Sequence, residues 1–170
     1  DIRPFKYKHR ALAWSCGSTY YDSATSWLYQ CWGILTVINM DSLTGHNIVD
    51  TEDRDEMMSD IADLYARSPM RTHTVGGNRH ILMMFETAAK FNCDMIVMYD
   101  DIGCKGMAGC QGLLEEEFRK HPEFHIMWMP HALMDCRTVP TAEARKVVND
   151  YMTTVLHEEP VDPSLVDFDD

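Results

Sequence analysis

Continuous apolar runs alternate along the chain with stretches in which apolar residues recur every three or four positions. The continuous runs, of which "CDMIVMYD" is the clearest, predict buried strands at about 9–16, 33–40, 93–100 and 124–130. The periodic stretches predict helices at about 18–31, 54–66, 77–91, 107–120 and from 141 onward. Because strands alternate with helices, we expect an α/β fold with a four-stranded parallel, doubly wound, flavodoxin-like sheet and helices on both faces.

The length of the chain and its acidic end predict one domain with a tail. The 170 residues suffice for a single core. The last residues, "EEPVDPSLVDFDD", carry six acidic side chains and no sustained apolar pattern. We therefore expect an α/β domain over residues 1–157 and an acidic tail over residues 158–170, either flexible or used to dock a partner.

The charge and the apolar content exclude several classes of partner. The chain has 15 basic and 27 acidic residues, a net charge of −12, which disfavours nonspecific binding to nucleic acid. No apolar run approaches the roughly 20 residues of a membrane span, and the first residues lack the apolar block of a secretion signal. We expect a cytoplasmic protein that contacts neither nucleic acid nor membrane.

Six cysteines form no CxxC pair. They are Cys16, Cys31, Cys93, Cys104, Cys110 and Cys136. Without a secretion signal, reduced thiols are favoured over disulfides. A zinc site or ferredoxin-type cluster built by this chain alone is not supported by the spacing.

The loop "GCKGMAGCQG" after the third strand is the main candidate for chemistry. It places Cys104 at the carboxyl end of a parallel strand, where such sheets bind ligands, and just before a helix, whose amino terminus favours thiolate over thiol. Its glycines allow a phosphate, a cluster or a second subunit to approach the backbone; they are Gly103, Gly106, Gly109 and Gly112. The alternative is that Cys104 is a small buried residue and the glycines only permit tight packing. The pattern is not that of a P-loop.

Other polar residues predicted near the same edge give weaker signals. They are His46, His73, His131, Asp100, Asp101 and Cys136. Each histidine has an ordinary surface or hydrogen-bonded role as its alternative, and the two aspartates are predicted to cap the following helix rather than to hold a substrate hydroxyl. Cys93 and Cys110 are predicted to be packing residues.

The segments "NCDMIVMYDDIGCKGMAGCQGLLEEEFRK" and "DCRTVPTAEARKVVNDYMTTV" together resemble the carboxyl-terminal half of the 2-hydroxyacyl-CoA dehydratase family, which includes the benzoyl-CoA reductase subunits. The resemblance lies in the order of a Cys-Asp pair, an apolar strand, a cysteine with a basic neighbour, a Glu-rich helix end and an Asp-x-Arg. Here the first and last of these are Cys93-Asp94 and Asp135 to Arg137. The similarity is strongest from Arg79 to Val155.

The resemblance implies an iron–sulfur enzyme. In this family each of two homologous subunits holds a [4Fe–4S] cluster through three cysteines, and Cys104 matches the carboxyl-terminal ligand. An ATP-dependent iron–sulfur activator supplies one electron. The acyl-CoA substrate then passes through a ketyl radical that expels the α-hydroxyl. The chain would accordingly be part of a lyase that acts on a 2-hydroxyacyl-CoA.

The chain also departs from the family pattern. Family subunits are considerably longer, and the half that supplies the other two cluster cysteines has no counterpart here. We therefore expect a fragment, a separately encoded half or a trimmed domain, inactive in isolation, whose other ligands come from outside it. Cys136 stands where the family usually has proline. Two alternatives stay open: a benzoyl-CoA reductase-type subunit, and a non-catalytic flavodoxin-like module in which Cys104 is structural.

Overall fold

A computed structural model describes most of the chain. The described residues are 6–14, 22–43, 48–69, 79–132, 135 and 137–167. The strands are β1 (His9–Trp14), β2 (Ile34–Asn39), β3 (Met95–Asp101) and β4 (His125–His131). The helices are α1 (Asp22–Trp32), α2 (Arg54–Ala66), α3 (Arg79–Lys90), α4 (Lys105–Phe118) and α5 (Thr141–Asp150), and α5 continues into a π-helical turn, Tyr151–Val155. Among the described residues, no helix is both long enough and apolar enough to cross a bilayer.

The four strands form one parallel sheet in the order β2-β1-β3-β4. The first strand is therefore interior, and the chain adds one strand beside it before it crosses to the other side. This order, with helices against both faces, confirms the predicted α/β doubly wound, flavodoxin-like architecture. The predicted strand and helix positions agree with the observed ones to within a few residues.

Two apolar layers enclose the sheet because the side chains of β1 and β3 alternate between its faces. Ala11, Val97 and Tyr99 point toward α1 and α5, while Leu12 and Met98 point toward α3 and α4. All five side chains are buried. The interior strands thus carry the continuous apolar runs that the sequence shows.

The edge strand β2 is less buried than its sequence suggests. Its apolar run, "ILTVIN", predicts burial on both faces, but only Ile34 is fully buried and the following five residues are half-buried. The reason is its place at the edge of the sheet, next to β1 alone. Helix α2 is also less buried than its apolar pattern suggests: its sequence has an apolar side, but none of its residues is buried.

The segment that follows α5 packs back on the domain. Leu165 and Val166 lie against the apolar layer that includes α1 and α5. The backbone N–H of Val161 donates to the carbonyl oxygen of Cys31 at 2.7 Å, and Trp27 Nε1 donates to the carbonyl oxygen of Leu165 at 2.8 Å. Residues of the predicted acidic tail thus have hydrogen-bond partners within the domain, while its role in docking a partner stays a prediction.

Gly33 allows this close packing. Its backbone is left-handed, with φ of 71°, and a Cβ there would lie 3.1 Å from the backbone nitrogen of Lys8 and 3.2 Å from Val161 Cγ2. Glycine adopts such a conformation without the steric cost that other residues incur. The turn between α1 and β2 thus brings the carboxyl-terminal segment against the start of β1.

A buried histidine joins the amino ends of the strands to the same segment. The His9 ring contacts Asp94 Oδ2 through Nδ1 at 2.7 Å and Glu158 Oε1 through Nε2 at 2.8 Å. Lys8 Nζ lies 3.2 Å from Glu158 Oε2. Burial raises the pKa of the Glu158 carboxyl, but hydrogen bonds from His9 and Lys8 outweigh it, so the pKa lies below its ordinary value.

Glu158→Gln is expected to lower stability at neutral pH and to lose this effect in acid. A carboxyl whose pKa is lowered by folding stabilises the fold above its unfolded pKa of about 4.3, and that contribution disappears as the pH falls through the folded pKa. We expect a deficit of about 1 kcal/mol at pH 7, as for a partly exposed charged hydrogen bond. Urea unfolding from pH 7 to pH 3 measures it. Glu159→Gln, at an exposed neighbour, is the control; a Glu158→Gln deficit that does not change with pH would contradict the assignment.

Candidate functional site at the carboxyl edge of the sheet

The carboxyl edge of the sheet has a topological switch point between β1 and β3. The connection from β1 runs through α1 on one face, and the connection from β3 runs through α4 on the other. Pairing of β1 with β3 ends at Trp14 and Met98, whereas β3 continues beside β4 to the pair Asp101 and His131. In open α/β sheets, ligands bind in the crevice at such a point.

Backbone hydrogen bonds hold the loop after β3 in place. The Gly103 N–H donates to Asp101 Oδ1 at 3.1 Å, and the Cys104 N–H donates to the Asp101 carbonyl oxygen at 2.8 Å. The Ile102 N–H donates to the carbonyl oxygen of His131 at 3.1 Å. The buried Asp101 therefore shapes the turn instead of capping the helix, which corrects the predicted capping role.

Cys104 is the residue that opens α4. It occupies the N-cap position in an extended conformation, and its side chain makes no capping hydrogen bond. The thiol is free and half-buried, and it packs against the apolar cluster that includes Trp14 and Met107. The side chain is thus neither sealed in the core nor fully in water, at the edge where open α/β sheets generally bind ligands.

The other described cysteines, Cys31, Cys93 and Cys110, pack against apolar clusters of the domain. Burial raises the pKa of the Cys31 thiol to about 11; the Asp162 carboxylate adds to the rise and the Arg145 guanidinium opposes it. Burial also raises the pKa of the Cys93 thiol. Cys110 lies half-buried on α4 against the same apolar cluster as Cys104. The buried position of Cys93 agrees with its predicted packing role, while the packing role of the half-buried Cys110 stays a prediction.

Tyr99 and Trp14, two aromatic side chains at this edge, each contact a histidine that the sequence did not reveal as a neighbour. On one face, the ring centroids of Tyr99 and His131 are 5.8 Å apart, and burial raises the pKa of Tyr99, opposed by a hydrogen bond with Thr25. On the other face, Trp14 Nε1 donates to His80 Nε2 at 2.9 Å, and both residues are buried. Trp14 and His80 are 66 positions apart in the sequence. No local signal could have paired them.

The Asp-x-Arg motif forms a fork on the β4–α5 connection. Arg137 Nε and one of its terminal nitrogens each donate to a different oxygen of Asp135 at 2.8 Å. The Arg137 guanidinium and its backbone N–H hold the pKa of the Asp135 carboxyl below its usual range. The pair is exposed on the connection that follows β4, which leaves the same edge of the sheet as the loop of Cys104.

The described residues supply one thiol to this edge and no complete metal site. No group of three or more His, Cys, Asp or Glu side chains within the described ranges is placed to hold a metal ion. Cys16, Cys136, His46 and His73 lie outside the described residues. A half-buried thiol at a strand end suits one ligand position of an iron–sulfur cluster.

Gly109 and Gly112 face open space on α4. A Cβ at either position would meet nothing within 4 Å. The fold therefore does not need glycine at these positions, and the alternative that they permit tight internal packing is wrong for them. Each one costs helix stability relative to alanine.

A comparison with protein-family models finds one that covers the sheet and this edge. The model of the 2-hydroxyglutaryl-CoA dehydratase D-component matches residues 2–137, which include Cys104 and the Asp-x-Arg. Among curated proteins and among solved structures, nothing matches. The match spans most of the chain and agrees with the resemblance found in its motifs. The chain therefore belongs to the 2-hydroxyglutaryl-CoA dehydratase D-component family.

Proposed function

We propose that the chain is the part of a 2-hydroxyacyl-CoA dehydratase subunit in which the Cys104 thiolate provides one ligand of a [4Fe–4S] cluster. The observation that supports this most is the position of that thiol. In a chain of this family, Cys104 follows β3 at its carboxyl end, beside the switch point, and is free and half-buried. A cluster ligand needs both access to the site and partial exclusion of water.

The cluster, when bound, would supply the one-electron chemistry by which the α-hydroxyl of a 2-hydroxyacyl-CoA leaves. This chain would fix the position of one sulfur atom. The Asp101 side chain and the His131 carbonyl hold the loop, and Trp14 and Met107 belong to the apolar cluster beneath it. The other ligands would come from residues outside those described.

The family description places the chain among the components of a dehydratase, so a partner subunit follows from membership. We propose further that this partner is a second homologous subunit, that an ATP-dependent iron–sulfur activator delivers the electron, and that the complex works in the cytoplasm on an acyl-CoA. Low-potential cluster chemistry suits a reducing compartment with free thiols.

The test is iron and sulfide analysis of the full-length subunit that contains this chain, purified anaerobically with its partner subunit, because the other proposed cluster ligands lie outside the described residues. We expect iron and sulfide in the complex and dehydration of a 2-hydroxyacyl-CoA after one-electron reduction. A complex without iron would contradict the proposal that the subunit holds a cluster. A complex with iron that reduces an aromatic CoA thioester and dehydrates nothing would favour the benzoyl-CoA reductase-type alternative.

The outward glycines give a second test, because they have no use inside the domain. Gly109→Ala combined with Gly112→Ala is expected to raise the free energy of unfolding by about 1–2 kcal/mol in total, since each removes the conformational cost of glycine in a helix. If a cofactor, thioester or subunit approaches this backbone, the same variant loses iron or activity although it is more stable. Urea unfolding and iron content measure the two effects.

Ala108→Gly is the matched control at the exposed neighbour of Gly109. It should lower stability by about 0.5–1 kcal/mol and leave the iron content unchanged. A double alanine variant that is more stable and keeps its full iron content and activity would show that nothing approaches these glycines closely.

A further inference from the structure

Helix α2 exposes two large apolar side chains, Met58 and Tyr65. No residue of Arg54–Ala66 is buried. Met58 is 57% exposed and Tyr65 is 73% exposed, whereas a helix of an α/β domain normally buries such residues against the sheet. Together with the half-buried Ile61, these side chains stand at positions i, i+3 and i+7, which is the spacing by which a helix anchors in a groove.

Met58, Ile61 and Tyr65 form an apolar ridge along α2, and the polar residues around this ridge are strongly acidic. Residues 50–67 contain seven acidic and two basic side chains, for a formal charge of −5. Several of these acids also build the helix: Asp53 Oδ1 accepts from the N–H groups of Asp55 and Glu56 at 2.8 and 3.0 Å, and Asp63 pairs with Arg67 at 2.5 Å. The helix is therefore well formed at both ends, while its ridge is exposed.

The negative charge around α2 favours one kind of binding partner for the ridge over the others. A second copy of this chain, itself at −12, would bring two acidic helices together, and like charges at an interface are repulsive. An anionic membrane surface would repel the helix for the same reason. A protein surface with an apolar groove bordered by lysine and arginine side chains would complement both the ridge and the acids.

We propose that α2 docks on the partner subunit of the dehydratase, by inserting the ridge of Met58, Ile61 and Tyr65 into an apolar groove with a basic border. The identity of the partner rests on the proposed function, whereas the docking surface rests on the exposure and charge of α2. Long, exposed aromatic and methionine side chains are the residues that interfaces favour as anchors.

The experiment measures the dissociation constant of the chain and its partner subunit, both purified anaerobically, by sedimentation at several salt concentrations. Met58→Ala combined with Tyr65→Ala is expected to weaken binding about 10-fold or more, as loss of an interface anchor does. Added salt should weaken the wild-type complex, because the attraction includes opposite charges. Hydrogen exchange of the backbone amides of residues 54–66 should be slower in the complex than in the free chain.

Leu82→Ala combined with Val155→Ala is the control, because these exposed apolar residues lie outside α2, at 47% and 58% exposure. It should leave the dissociation constant unchanged. Equal binding by the α2 variant and the wild type, self-association of the chain through α2, or failure of the two subunits to bind would each overturn the docking proposal. A complex that binds through α2 without iron would instead overturn the proposed chemistry alone.

Discussion

Replacing Cys104 with serine is expected to remove most of the iron from the dehydratase subunit while the fold stays intact. The side chain is half-buried and makes no capping hydrogen bond, so the change of sulfur to oxygen costs the domain little. A cluster that loses a thiolate loses a strong ligand, for which a serine hydroxyl is a poor substitute. Iron and sulfide content, with the visible absorption of the cluster, measure the loss in the complex with the partner subunit.

Cys110→Ser is the matched control, because that thiol is also free and half-buried on the same helix. It should keep its iron. Circular dichroism and thermal unfolding should show both variants folded to a similar degree. If the Cys104 variant retained the iron content of the wild type, the ligand assignment would be wrong, and the thiol would be a packing residue at the end of a strand.

Thiol reactivity adds a readout that does not depend on cluster assembly. In the folded chain without iron, Cys104 should react with a disulfide reagent faster than Cys31 or Cys93, because both of these are buried and burial raises their pKa. Iron loading should then protect Cys104. A Cys104 that is as slow as Cys31 in the absence of iron would show that the loop hides the thiol.

The sheet could be predicted from the sequence because its interior strands are continuous in apolar residues and its connections are helical. Residues 95–101 are the clearest case, since five of the seven are buried apolar residues and both neighbouring strands are parallel. The position of Cys104 followed directly, because a residue after a parallel strand must lie at the carboxyl edge. Periodicity was thus sufficient for the sheet and for the place of Cys104 at its edge, while the role of Cys104 as a ligand stays a prediction.

Long-range contacts were beyond the same reasoning. The pairing of Trp14 with His80, and the packing of Val161 near Gly33, depend on how the helices settle on the sheet. The exposure of α2 was beyond sequence reasoning for a related reason: its apolar spacing indicates a helix with an apolar side but does not say what covers that side. The packing of the acidic segment after residue 157 gave no signal in the sequence, because its few apolar residues, such as Leu165, have no period.

Trp32→Ala is expected to destabilise the domain by about 3–5 kcal/mol, which is a large share of the 5–15 kcal/mol typical of a folded domain. Trp32 is fully buried, and its Nε1 donates to Asn149 Oδ1 at 2.9 Å. Asn149 in turn donates through Nδ2 to the carbonyl oxygen of Val166 at 3.1 Å. One indole therefore fills the layer between α1 and α5 and holds the amide that binds the carboxyl-terminal segment.

Loss of that indole should also release the carboxyl-terminal segment before the domain unfolds. Limited proteolysis should cut residues 158–167 faster in Trp32→Ala than in the wild type, and urea unfolding should give the change in free energy. Trp32→Phe separates the two contributions, because it keeps most of the apolar volume and removes the hydrogen bond to Asn149. The segment should then be cut faster with a smaller loss of global stability. If Trp32→Ala lost less than about 1 kcal/mol, the indole would not be the anchor of this layer.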